Sequence, residues 1–129
     1  MTLRVIEVTD RTWEKTVEKG EKPAVVMFYS AACPHCRTME PYFLQYAEEF
    51  GEVVTFARLN IDANLWTAER YGVRGTPTFK FFCLGRPVQE LVGAVYPALL
   101  RRMIEDSLQY GEECARNTTL IDYEITGYA

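Results

Sequence analysis

The 129-residue sequence contains one histidine, fewer basic than acidic residues, and no long apolar run. Fourteen Lys and Arg against 18 Asp and Glu give a net charge of −4, so the chain lacks the basic face with which nucleic-acid binders neutralise phosphates. No stretch approaches the ~20 apolar residues of a membrane-spanning helix, and the first residues lack the basic and apolar segments of a secretory signal. We therefore expect no nucleic-acid or membrane partner, and a location in the reducing cytoplasm.

The rest of the composition is that of one soluble domain, with 48% hydrophobic and 25% charged residues. A chain of this length buries roughly 68% of the surface that its unfolded form exposes, so packing alone can hold the core. We expect Trp13 and Trp66 to belong to that core. The four cysteines are not needed for architecture, and they point to chemistry instead.

Apolar patterns predict an α/β fold in the order βαβαβαββα, with a central mixed sheet and helices on both faces. The predicted strands cover 3–8, 23–29, 53–61, 78–84 and 88–95. The predicted helices cover 11–20, the segment from the first cysteines to Gly51, 63–71, and a last helix that Pro97 opens. We expect residues 1–110 to form the domain and residues 111–129 to be a C-terminal extension, with a strand-like stretch at 120–125.

The helix that ends at Gly51 carries one apolar stripe, because apolar and aromatic residues recur at steps of three and four. The stripe consists of Met39, Tyr42, Phe43, Tyr46, Ala47 and Phe50. The strands on either side of this helix are both apolar throughout, which is typical of strands covered on two faces. A helix of this length joins parallel strands, since antiparallel neighbours need only a short turn.

The motif Cys33-Pro34-His35-Cys36 lies between a buried strand and the start of this helix. Pro34 is tolerated in a first turn, so we expect Cys33 at the helix N-terminus, where unpaired N–H groups and the helix dipole stabilise an anion. A lowered pKa of Cys33 would make it the nucleophile of disulfide exchange. Cys36, one turn inside the helix, is placed to attack the resulting mixed disulfide, so the pair can transfer two electrons.

Other segments join this motif in a pattern that resembles the thioredoxin superfamily from about Val5 to Leu108. They are Pro41 in the long helix, Arg58-Leu59-Asn60-Ile61-Asp62, Tyr71-Gly72-Val73-Arg74-Gly75-Thr76-Pro77-Thr78, Gly85 and Gly93. The resemblance implies a thioredoxin fold and a protein-disulfide oxidoreductase that binds no cofactor. It also implies disulfide-containing protein substrates and a thioredoxin-reductase-type flavoprotein as the source of electrons. We expect the chain to be a monomer.

The loop that ends in Pro77 is the expected docking segment. In the thioredoxin family the matching proline is cis and faces the cysteines, which frees the backbone of the preceding residue to pair with an extended substrate. The resemblance gives this role to Thr76, with Gly75 beside it. Docking by strand addition uses main-chain hydrogen bonds, which do not depend on side-chain identity, and so fits a broad range of substrates.

His35 is expected to tune the cysteine pair. An imidazole within the motif can donate to the Cys33 thiolate or, when protonated, attract it, which stabilises the reduced form and makes the pair more oxidising. Thioredoxin lies at about −270 mV, and the oxidases that a C-P-H-C motif resembles lie at about −120 mV, so we expect an intermediate potential of about −200 mV.

Several positions depart from the thioredoxin pattern, and one of them is Ala32, where this family usually has a tryptophan before the first cysteine. The buried carboxylate that this family places beneath the second cysteine falls at Met27, which cannot accept a proton. Deprotonation of Cys36 then requires a water, Glu40 or a substrate group, or else the mixed disulfide persists. Arg58 stands where that family often has lysine, and it stays cationic at any working pH.

Cys83 and Cys114 are expected to be buried structural thiols, because free cysteine packs as a small hydrophobe. The alternatives are a Cys83–Cys114 disulfide or a regulatory thiol. Zinc is a weaker alternative, since the chain has no second closely spaced cysteine pair, and we expect no metal site.

The sequence thus predicts a cytoplasmic thiol-disulfide oxidoreductase, a thioredoxin-like protein-disulfide reductase. Its catalytic residues are Cys33 and Cys36, assisted by His35 and Pro34. The alternatives are a disulfide oxidase or isomerase, and a non-catalytic binding module with the same fold.

Overall fold

The computed structural model describes residues 4–116, and for residues 110–116 it describes the helical backbone alone. The start of the first predicted strand, at residue 3, and the strand-like stretch at 120–125 lie outside the described residues.

The described elements follow the predicted order. Five strands form one sheet: β1 (Val5–Val8), β2 (Ala24–Tyr29), β3 (Thr55–Asn60), β4 (Thr78–Cys83) and β5 (Arg86–Val92). Three α-helices accompany them: α1 (Pro34–Phe50), α2 (Leu65–Arg70) and α3 (Pro97–Arg116). In the described part of the chain, no helix combines the length and apolar character that crossing a bilayer requires.

The sheet is mixed, as the sequence predicts, with the strand order β1-β3-β2-β4-β5. The strand β3 runs parallel to both β1 and β2, whereas β4 is antiparallel to β2 and to β5. Helix α1 is therefore a crossover connection between the parallel strands β2 and β3. Its N-terminus follows the carboxyl end of β2 at the centre of the sheet, which is where an α/β sheet leaves room for a site.

Each face of the sheet carries its own core cluster, because side chains alternate along a strand. Val25 and Met27 of β2 face α1 and α3, where Phe43 and Leu100 are fully buried. Val26 and its alternate neighbours face the opposite side and pack around Trp13, which is 1% exposed. Covering on both faces explains why β2 is apolar throughout.

The first predicted helix is the element that differs most from expectation. The chain forms a short π-helical turn at Glu14–Glu18 in place of a helix over 11–20. Trp13 and Val17 of this segment are buried, whereas most of its other side chains are exposed. A single turn is enough to bury these two side chains, so packing does not require a helix over the whole of 11–20.

In the hairpin, β4 ends one residue earlier than predicted and β5 begins two residues earlier. Leu84 and Gly85 both have positive φ, at 53° and 83°. A side chain at Gly85 would bring its Cβ within 2.6 Å of the Glu18 backbone oxygen, so only glycine fits there. Pro87 then falls inside β5, an edge strand, at an irregularity in its pairing with β4.

Two aromatic residues are misplaced by the sequence prediction. Tyr42 lies on the exposed border of the α1 stripe, while Met39, Phe43, Tyr46 and Ala47 are buried as expected. Trp66 is 61% exposed on α2, where the Arg70 guanidinium lies 5.7 Å from its ring centroid.

Helix α3 extends beyond residue 110, where the sequence predicts that the domain ends. Its apolar face is confirmed, since Leu100 and Ile104 are fully buried and Met103 and Leu108 are partly buried against them. The helix continues to Arg116, so residue 111 lies within it. A domain of residues 1–110 with an extension of residues 111–129 stays a prediction.

Candidate active site

Cys33 is the N-cap residue of α1. Its backbone is extended, with φ −93° and ψ 112°, and Pro34 occupies the first helical turn, where a missing N–H costs no hydrogen bond. The backbone N–H of Cys36 donates to the Cys33 sulfur over 3.2 Å. The predicted position of Cys33 at the helix N-terminus is confirmed.

The surroundings of Cys33 favour its thiolate. Burial raises the pKa of Cys33, but hydrogen bonds from the Cys36 thiol, the Thr76 side chain and the backbone amides of Cys36 and His35 outweigh that cost, so the net pKa is lowered. Donors aimed at a sulfur stabilise its anion more than its neutral form. Cys33 can therefore supply a nucleophile closer to neutral pH than an ordinary cysteine does.

Cys36 has the opposite character. Its side chain is 5% exposed, against 9% for Cys33. Burial, followed by the hydrogen bond to Cys33, raises the pKa of Cys36 to about 11. The thiolate form is thus favoured at Cys33, whereas the neutral thiol is favoured at Cys36.

The predicted docking loop lies against Cys33. The Thr76–Pro77 peptide bond is cis, as the resemblance implies. The Cys33 thiol donates to the Thr76 carbonyl oxygen over 3.4 Å, a contact that exists only while the sulfur holds its hydrogen. Gly75 and Thr76 are at least partly exposed.

His35 acts on Cys33 through its backbone amide, whereas the sequence predicts an effect of its imidazole. The backbone amide of His35 is among the donors that lower the pKa of Cys33. The imidazole itself is exposed. An influence of the imidazole on the redox potential stays a prediction.

A pocket of about 150 Å³ opens beside Cys36. It is lined by Met27, Tyr29, Ser30, Ala31, Cys36, Arg37, Glu40 and Arg58. The apolar Met27 therefore does lie next to the second cysteine, as the sequence predicts. A space of this size holds several water molecules.

An ion-pair network borders this pocket, and the sequence analysis found only part of it. Arg58 binds the Glu7 carboxylate through Nε and the Glu40 carboxylate through Nη1, each over 2.6 Å. The Tyr29 hydroxyl donates to Glu7 over 2.7 Å, and burial with this contact raises the pKa of Tyr29 to about 12. The missed signal is the register of β1 on β3, which places Glu7 directly beside Arg58.

Exposed apolar side chains stand near the docking loop. Val92 pairs with Thr78 across β4 and β5, and the backbone N–H of Gly93 donates to the Pro77 carbonyl oxygen over 2.8 Å. Val92 and the nearby Tyr96 are both mostly exposed. An extended peptide laid along Thr76 would find apolar surface here.

Of the two remaining cysteines, the structure describes the side chain of Cys83 alone, which is buried as predicted but is not a free thiol. Cys83 is 3% exposed and disulfide-bonded, so the expectation of a free thiol is wrong for this residue. Cys33 and Cys36 are free. The side chain of Cys114 lies outside what the structure describes. Among the described residues, no cluster of three or more His, Cys, Asp or Glu side chains could hold a metal ion.

The arrangement as a whole can perform thiol-disulfide exchange. A sulfur with a lowered pKa stands at a helix terminus, and a second thiol lies close enough for its own amide to contact that sulfur. A substrate disulfide attacked by the first sulfur would be within reach of the second.

Comparison with known proteins gives consistent matches over most of the chain. A family model described as Thioredoxin matches residues 4–106. A thioredoxin of Alicyclobacillus acidocaldarius is 36% identical over 102 residues, which are 79% of this chain and 96% of that protein. The thioredoxin of Rhodospirillum rubrum is 35% identical over 79% of this chain and 98% of its own length. A Streptomyces clavuligerus thioredoxin is 41% identical over 74% and 88% of the two chains.

Proposed function

The chain belongs to the thioredoxin family and is a thiol-disulfide oxidoreductase, and from that premise we propose that it reduces protein disulfides through a mixed disulfide on Cys33. The observation that carries the proposal is the contact of 3.2 Å between the Cys36 amide and the Cys33 sulfur at the start of α1. This hydrogen bond stabilises the Cys33 thiolate, and its donor belongs to Cys36, which carries the second thiol.

The proposed reaction has two exchanges. The Cys33 thiolate attacks one sulfur of a substrate disulfide, forms a bond to it, and releases the other sulfur as a thiolate. Cys36 then loses its proton and attacks the Cys33 sulfur, which breaks the mixed disulfide and frees the second substrate sulfur. The substrate gains two electrons, and the protein is left with a Cys33–Cys36 disulfide.

Substrate docking is proposed to use the backbone of Gly75 and Thr76. The Thr76 carbonyl already lies 3.4 Å from the Cys33 sulfur, so an extended peptide paired with this backbone would bring its disulfide to the nucleophile. Val92 and Tyr96 would add apolar contact that does not depend on one sequence.

The partners of the reaction are disulfide-containing proteins and a reductase that restores the dithiol. We assign the second role to a thioredoxin-reductase-type flavoprotein, and we expect the chain to act as a monomer in the cytoplasm. A reducing compartment supports this direction of electron flow, because its thiol pools hold substrate cysteines reduced.

The reduction of insulin by dithiothreitol tests the proposal. With Cys33→Ser the rate should fall to that of dithiothreitol alone, because the variant has lost its nucleophile. Cys36→Ser is the matched control: it keeps the nucleophile, so it should accumulate a mixed disulfide with insulin without completing turnover. An unchanged rate in Cys33→Ser would remove the catalytic assignment.

Two observations favour a disulfide oxidase or isomerase as the second candidate. Met27 supplies no carboxylate to the Cys36 pocket, which prolongs a mixed disulfide unless another group assists. Cys83 is disulfide-bonded, and such bonds are commoner in oxidising compartments. The reduction potential against glutathione separates the candidates: a value near −200 mV supports the reductase, and one above about −150 mV supports the oxidase.

A further inference from the structure

The second exchange of the reaction requires a proton to leave a buried group. Cys36 must lose its proton as its sulfur attacks Cys33, and its side chain is 5% exposed. Because burial raises its pKa to about 11, the neutral thiol predominates at pH 7. A base that takes the proton during the attack would therefore accelerate the release of substrate.

The pocket beside Cys36 offers few candidates for that base. Its titratable lining consists of Tyr29, Cys36, Arg37, Glu40 and Arg58. A guanidinium group has no acceptor site, so Arg37 and Arg58 cannot take the proton. The pKa of Tyr29 is raised to about 12, so its phenol is also protonated. Among the titratable groups that line the pocket, this leaves Glu40 as the acceptor.

The position of Glu40 suits that role. It lies four residues after Cys36 on α1, and residues at this spacing are neighbours on one face of a helix. Its Oε2 binds Nη1 of Arg58 over 2.6 Å, which anchors the carboxylate at the pocket wall. A carboxylate has a second oxygen, and the pocket has room for a bridging water.

We propose that Glu40 is the general base of the second exchange and takes the Cys36 proton directly or across one water. This inference rests on the proposed function. As the Cys36 sulfur bonds to the Cys33 sulfur, the Cys33–substrate bond breaks and its electron pair leaves on the substrate sulfur. The proton passes from Cys36 to Glu40 and from there through the pocket to solvent.

A purely electrostatic role for Glu40 would have the opposite sign. The groups that face the pocket are Arg37 and Glu40 from α1, Tyr29 from β2 and Arg58 from β3, with Glu7 of β1 behind Arg58. Removing a negative charge from this set makes the Cys36 thiolate easier to form. If charge alone mattered, neutralising Glu40 would therefore speed up the exchange.

The test measures substrate release from a preformed mixed disulfide on Cys33 in single-turnover experiments from pH 6 to pH 9. We expect Glu40→Gln to slow release at pH 7 at least tenfold, and its rate to rise about tenfold per pH unit as hydroxide replaces the lost base. Glu7→Gln is the matched control: Glu7 does not line the pocket, and the substitution removes the other ion pair of Arg58 while the amide oxygen can still accept from the Tyr29 hydroxyl. Its release should stay within about twofold of the unchanged protein.

The outcomes separate this inference from the proposed function. Formation of the mixed disulfide should be equally fast in all variants, since Cys33 is untouched; failure to form it in the unchanged protein would overturn the proposed function. An equal or faster release in Glu40→Gln would overturn the role of Glu40 alone. Equal slowing in Glu7→Gln would also overturn it, because the loss would then belong to Arg58. Partial recovery in Glu40→Asp would support a carboxylate base.

Discussion

Substitution of Cys36 by alanine tests how the Cys33 thiolate is stabilised. The hydrogen bond from the Cys36 thiol is the largest of the contributions that lower the pKa of Cys33, which together outweigh the effect of burial. Hydrogen bonds to charged groups contribute about 1.5 to 3 kcal/mol, and one pKa unit corresponds to about 1.4 kcal/mol. We therefore expect Cys36→Ala to raise the pKa of Cys33 by about 1 to 2 units.

The assay is the rate of iodoacetamide alkylation of Cys33 as a function of pH, with the alkylated residue identified by mass spectrometry. The midpoint of the profile reports the thiolate population. Cys36→Ser is the control, since serine has nearly the same size and its hydroxyl can still donate to the Cys33 sulfur. Its midpoint should stay close to that of the unchanged protein.

Two results would refute this reasoning. A midpoint that does not move in Cys36→Ala would mean that the backbone amides of Cys36 and His35, which survive the substitution, already account for the whole lowering. An equal upward shift in both variants would mean that the donor is irrelevant and that the thiol acts in another way. The space left by alanine admits water, which by itself would lower the pKa of Cys33, so an upward shift cannot come from lost packing.

The remaining predictions concern stability. Because folding raises the pKa of Cys36 from 9.0 to about 11, the folded protein keeps a proton that the unfolded chain has lost between those values. The free energy of unfolding of the reduced protein should therefore fall by up to about 2 to 3 kcal/mol as the pH rises from about 9 to 11, and denaturation with urea should show a smaller fall in Cys36→Ala. Since Cys83 is disulfide-bonded, alkylation of the denatured chain without reductant should leave Cys83 unmodified, and an alkylated Cys83 would contradict this. Loss of this bond in Cys83→Ala should lower the free energy of unfolding in urea by about 2 to 5 kcal/mol.

The parts of the fold that the sequence predicts correctly are those with local causes. The strand β2 is apolar throughout because both of its faces are covered, and that pattern is visible without knowing its neighbours. The start of α1 follows from Pro34, because proline is favoured in a first helical turn and not inside a helix. The hairpin is different: Leu84 adopts φ 53°, a conformation that leucine disfavours, so only the packed structure explains where the chain turns.

Exposure of aromatic residues also depends on packing that the sequence does not reveal. Trp13 and Trp66 have the same side chain, yet one is 1% exposed and the other 61%. Trp13 is enclosed by Phe28, Tyr71 and Phe82 from three other elements. Helix α2 has six residues and buries only Thr67 and Ala68, so Trp66 stays on its exposed side.

The candidate site divides in the same way between local and long-range causes. The spacing of Cys33, Cys36 and Glu40 along α1 is a property of one helix, so the nucleophile, the second thiol and the neighbouring carboxylate can be placed from the sequence. The position of Arg58 cannot, because it depends on the register of β3 against both β1 and β2. That register anchors the Glu40 carboxylate beside the pocket. The proposed proton route thus combines a helical spacing that any reader of the sequence can count with a strand pairing that only the folded sheet determines.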